Sequence, residues 1–165
     1  MYSGFGDSSF NQFHNITLTN NIDNLASLNS MRADGSTAAF QGILRGAQVL
    51  ADGNPNSSDT DEQQAYNQKV KMMLILSDGQ ESPNNHILKG LVDAGMCNKA
   101  RQQIPGLYIG VIGINFQASQ QSGFQDCVVD PSEDIIDVSN LDELIKKIEE
   151  LIRKGSKTSG ITKLY

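Results

Sequence analysis

The chain has 165 residues, 38% of them hydrophobic, and 13 Lys and Arg stand against 19 Asp and Glu for a formal net charge of -6. That length suffices for one domain with its own core, residues 1–165. The acidic balance excludes a DNA- or RNA-binding surface, which needs clustered cations against phosphate.

No apolar run approaches the roughly 20 residues of a membrane-spanning helix, and the N-terminus lacks the order of a secretion signal. The opening MYSGFGDSSF reads as a strand entering a turn, and HNITLTNN alternates like a half-exposed strand. IDNLASLNSM places Ile22, Leu25, Leu28 and Met31 on one helical face. In RADGSTAAFQGILRGAQVL a polar turn holding Ser36 and Thr37 leads into a helix bearing Phe40, Ile43, Leu44, Ala47 and Leu50. Asp52 to Gln68 is rich in Asn, Asp and Ser and reads as a solvated loop. Its acids Asp59, Asp61 and Glu62 lack the glycine and final Glu of an EF-hand loop.

Val70 to Ser77 is apolar at nearly every position, as a strand covered on both faces should be. Asn84 to Gln103 carries Ile87, Leu88, Leu91, Val92 and Met96 at helical spacing, and Pro105-Gly106 ends that helix. Leu107 to Phe116 repeats the strand pattern, and Asp134 to Ser139 is a shorter version. Asn140 caps a final helix with an apolar stripe from Leu141 through Leu144, Ile145, Ile148, Leu151 and Ile152, which Gly155 stops.

This alternation predicts an α/β fold: a doubly wound, mostly parallel sheet with helices on both faces. In such sheets ligands bind outside the carboxyl ends of the strands. Asp78 lies at such an end and is followed by Gly79. A carboxylate and the Thr37 hydroxyl at one edge suit a hard cation such as Mg²⁺ or Mn²⁺, although Asp-Gly is also an ordinary turn and Ser-Thr an ordinary helix cap. Glu81 follows as an accessory candidate that would orient a site water. Cys97 and Cys127 permit one disulfide, lack metal-finger spacing, and alone leave the redox compartment open. His14 and His86 are isolated and lack the spacing of a zinc or di-iron pair.

In order, ADGST before an amphipathic helix, an apolar strand ending LILSDGQES, then GLYIGVIGINF and DIIDVSNLDELIKKIEELI resemble the von Willebrand factor A (vWA) domain. The start, SGFGDSSF to ITLTNNIDNLASLNSM, is similar to that family's second strand, third strand and following helix. The resemblance implies a Rossmann-like sheet and a metal-ion-dependent adhesion site. Thr37 would ligate Mg²⁺ directly, Asp78 would act through a water, Ser36 and Glu81 would be accessory, and a partner's carboxylate would complete the shell. The family's Asp-x-Ser-x-Ser is missing, so the domain is expected to be N-terminally truncated, without its first strand and helix, and the metal to be held weakly. The absent strand would leave a gap or a rearranged strand order.

The cysteines extend the likeness to the vWA domains of bacterial tight-adherence (Tad/Flp) pilus-assembly proteins. That resemblance implies a Cys97–Cys127 disulfide and a place on the periplasmic or extracellular face of the cell envelope. The function it implies is a non-enzymatic adhesion module that binds another protein of the pilus or envelope. The alternatives are a Mg²⁺-dependent phosphohydrolase with Asp78 as nucleophile and a metal-free structural fragment.

Overall fold

A computed structural model describes residues 16, 18–30, 37–82 and 86–158. The chain divides into two compact units, 1–35 and 36–165. In the first, Ile22–Ser30 forms a 3-10 helix, tighter than the α-helix its spacing suggests, and Ile22 is solvent-exposed. Residues 18–21, expected as part of a strand, form bends in which the Thr19 hydroxyl accepts from the Asn21 amide and the Asn24 side chain. The opening strand and the 34–36 turn, with Ser36, lie outside the described residues.

The second unit contains the sheet. β1 (Lys71–Ser77), β2 (Leu107–Ile114) and β3 (Ile135–Val138) pair in parallel in the order β1-β2-β3, with Lys71 opposite Leu107 and Val111 opposite Ile135. Successive residues point to opposite faces of a strand, and the two cores follow that alternation. Met73, Ile109, Val111 and Ile135 pack on one face with α1 (Ala39–Asp52), α3 (Ile87–Asp93) and α4 (Met96–Gln103). Tyr108, Ile112, Val138 and Leu151 form the other core, under α7 (Leu141–Thr158). The expected α/β architecture, a parallel sheet with helices on both faces, is the one observed.

Several local features depart from the pattern-based reading. The solvated loop 52–68 contains α2 (Thr60–Gln68), whose N-terminus is built by Asp59 accepting from the Asp61 and Glu62 amides. Only Tyr66 of this helix is buried, so it gives no apolar stripe to read. The helix expected over 84–103 is two helices, because Gly95 takes a left-handed conformation (φ 89°) between α3 and α4. β2 stops before Asn115, which is also left-handed (φ 52°), and Asp134 belongs to α6 (Pro131–Asp134), preceded by α5 (Ser122–Gln125). Gly155 does not end α7. A Cβ there would lie 2.3 Å from Met72 Cε and 2.8 Å from Tyr108 Cδ1, so the glycine lets the helix lie close to the sheet.

Cys97 of α4 and Cys127 form a disulfide with 5.3 Å between their Cα atoms, closing a loop of 30 residues. Arg101, one turn further along α4, donates to the Cys127 carbonyl and holds the same junction.

Candidate functional site

Three segments converge at the carboxyl edge of the sheet. β1 runs out at Ser77, whose hydroxyl donates to the Gly79 carbonyl at 2.9 Å and accepts from the Gly79 amide at 3.4 Å. That double bond closes the turn with Asp78 at its tip, exposed to solvent. Gly79 does not adopt a left-handed backbone. Instead it makes room: Thr37 Oγ1 lies 3.6 Å from where its Cβ would be. The Ser82 amide donates to the Thr37 carbonyl at 3.0 Å, so the segment before α1 and the loop after β1 are laced together. Thr37 and the Asp78 turn therefore share one edge.

Glu81 has a role that the sequence did not reveal. One of its carboxylate oxygens accepts from the Phe40 amide in the first turn of α1 (3.3 Å), and the other from the Leu88 amide in the first turn of α3 (2.8 Å). Neither helix has a side-chain cap of its own, since Ala38 and His86 occupy those positions without a capping bond. The first amides of a helix have no intrahelical acceptor and carry partial positive charge. One carboxylate satisfies both ends. Glu81 is thereby committed to two helices rather than turned toward a water beside Asp78.

The next strand end is equally constrained. A Cβ on Gly113 would lie 2.2 Å from the Phe116 carbonyl oxygen, so the chain folds back on itself directly after β2. Asn115 donates to the Val138 carbonyl at 2.8 Å, and Asp137 of β3 accepts from both the amide and the hydroxyl of Ser119. Asn140 accepts from the Glu143 amide at 2.9 Å while Glu143 accepts from Ser139, a reciprocal cap that starts α7 where the sequence placed it.

Comparison with protein-family models, curated proteins and solved structures found no match.

As a cation site, the edge offers the Thr37 hydroxyl and the exposed Asp78 carboxylate, both oxygen donors suited to Mg²⁺ or Mn²⁺. Among the described residues no group of three His, Cys, Asp or Glu side chains converges as a metal cluster. The donors fit an ion that keeps most of its waters. Both Glu81 oxygens already accept backbone bonds, so this carboxylate is a poor additional ligand.

At the opposite end of the sheet lies a second polar cluster. Asp134, 2% exposed, accepts from the Tyr108 hydroxyl (3.0 Å) and the Asp130 amide (2.8 Å) and pairs with Lys154 of α7 at 2.7 Å. Burial, and then the Asp134 charge, push the Tyr108 phenol well above the usual tyrosine range. These bonds join β2, α6 and α7, and the cluster reads as structural.

Proposed function

We propose that the chain is a non-enzymatic protein-binding module that uses the carboxyl edge of its sheet. The observation that carries this reading is the Asp78 turn. The Ser77 hydroxyl, the Ser82–Thr37 bond and the Glu81 clamp hold its backbone from three sides while the Asp78 carboxylate stands in solvent. A rigid scaffold presenting an exposed polar group on a loop is the usual construction of a recognition site. In this reading Thr37 and Asp78 hold a hydrated Mg²⁺ or Mn²⁺ weakly, and a carboxylate of the partner completes the shell, as in the vWA resemblance. The partner is then another protein of a pilus or envelope.

A disulfide persists in oxidising surroundings, which supports a periplasmic or extracellular location. No helix among the described residues is long and apolar enough to cross a membrane. The phosphohydrolase alternative needs a second acid beside Asp78, and the next acid along that loop, Glu81, is held by two helix N-termini.

The test is thermal unfolding in EDTA and then in millimolar Mg²⁺ or Mn²⁺ for wild type, Thr37→Ala and Asp78→Ala. A ligand bound only by the folded chain stabilises it by about 2.7 kcal/mol at a hundred times its Kd. A midpoint that rises in wild type and in neither variant is expected. Equal behaviour in all three sinks the metal-assisted reading, and phosphate-ester turnover lost in Asp78→Ala overturns the non-enzymatic one.

A further inference from the structure

A surface ion pair leaves its acid in water. Lys89 with Asp93 and Asp126, and Lys147 with Glu150, follow that pattern, since all three acids are more than half exposed. Lys154 of α7 is different. Its ammonium group lies 2.7 Å from Oδ1 of Asp134, which is 2% exposed, and 2.8 Å from Oε2 of Glu133, which is 64% exposed.

Asp134 also receives a donor on each oxygen. The Tyr108 hydroxyl donates to Oδ1 at 3.0 Å and the Asp130 amide to Oδ2 at 2.8 Å. Donors at such distances stabilise the negative charge that gathers on a carbonyl oxygen under attack. An amine, a desolvated carboxyl group polarised from two sides and a second, solvated acid therefore meet where α6 leads into β3 against α7.

We propose that Lys154 and Asp134 condense to an intramolecular isopeptide bond, which ties α7 covalently to the end of α6. The ion pair is the state before the bond forms. Burial lowers the ammonium's pKa, but the hydrogen bonds to Asp134 and Glu133 outweigh it and raise the value, so the amine is freed by handing one proton to Oδ1 beside it. The nitrogen lone pair then forms the bond to Cγ, and the charge collects on Oδ2 under the Asp130 amide. Glu133 takes a second proton from the nitrogen and passes it to Oδ1. The Cγ–Oδ1 bond breaks, one water leaves, and the third proton stays on the new amide nitrogen.

Asp134 is the carboxyl that reacts because it is the desolvated one. Condensation removes both charges from a site where a buried carboxylate is costly, and a nitrogen already in contact needs no encounter step. Glu133, in water, stays ionised and serves as the proton carrier.

Mass spectrometry of the purified chain, after reduction of the disulfide, should give a mass one water below that of the sequence. Tryptic digestion should yield a branched peptide in which Lys154 carries the segment holding Asp134, uncut after Lys154. Lys154→Arg keeps the ion pair but has no amine to react, so it should show the full mass with unchanged circular dichroism. Glu133→Gln, at an exposed position, should fold and form the bond more slowly from the freshly refolded chain. Asp78→Ala should still lose the water, which separates the bond from the proposed cation site. A wild-type chain that keeps its full mass after prolonged incubation overturns the proposal. So does a lighter species that persists in Lys154→Arg, or a branch at any other residue.

Discussion

Replacing Glu81 by Ala removes the acceptor for two helix N-termini at once, with about 1 kcal/mol lost for each missing capping bond. Negative charge at a helix start contributes about 0.3–1 kcal/mol more per helix, reduced here because Glu81 is only half-buried. The 3.3 Å bond to Phe40 carries less than the 2.8 Å bond to Leu88. The sum is about 2–3 kcal/mol, a fall in Tm of roughly 5–10 °C for a domain of this size. Glu81→Gln keeps one acceptor oxygen without the charge and should lose about half as much. Calorimetry or urea unfolding measures the loss, and amide hydrogen exchange locates it. Protection should fall in residues 78–82 and in the first turns of α1 and α3, while α7 is unchanged. A Glu81→Ala variant within about 0.5 kcal/mol of wild type, the range of an ordinary surface substitution, refutes the two-helix clamp. So does faster exchange spread evenly over the chain.

Reduction of the Cys97–Cys127 disulfide, or its replacement by two alanines, should lower stability by about 3.6 kcal/mol, the loop-entropy value for 30 residues, measured by urea unfolding with and without reductant. Gly155→Ala should cost about 1–3 kcal/mol by forcing α7 off Met72 and Tyr108, and Met72→Ala in the same chain should recover part of it; additive losses would contradict the close contact. Asp134→Ala leaves Lys154 and Tyr108 without their buried partner. Its cost should fall at the low end of about 3–5 kcal/mol, because Lys154, 31% exposed, regains water. Because the Tyr108 phenol is raised in the folded chain, that chain holds its proton where the unfolded one releases it, so stability falls as pH rises past about 10. Tyr108→Phe should flatten that alkaline fall in urea midpoints, and an identical pH profile would disprove the assignment.

Elements that bury an apolar face declared themselves in the sequence. KMMLILS and LYIGVIGI have to be covered on both sides, and the heptad-like stripe of α7 has to lie on something, so the parallel sheet and its last helix follow from composition and period. Asp78 was legible for the same reason: an apolar strand that ends in Ser-Asp-Gly turns at the carboxyl edge. α2 was not legible, because it buries little beyond Tyr66 and is started by one local bond at Asp59. The break at Gly95 was hidden too, since a left-handed residue interrupts a helix without disturbing the apolar spacing on either side.

The sequence by itself determined the α/β class, the order of the three strands along the chain, the start of α7 at Asn140 and the two residues, Thr37 and Asp78, proposed to meet a cation. Those depend on local chemistry and on the period with which apolar residues recur. Only the tertiary structure decided what Glu81 and Gly155 are for. Glu81 is 41 residues from Phe40, and Gly155 meets a methionine 83 residues earlier, so their roles depend on which surfaces packing brings together. The tertiary structure likewise turned Lys71 inward, onto the Asn67 and Lys69 carbonyls.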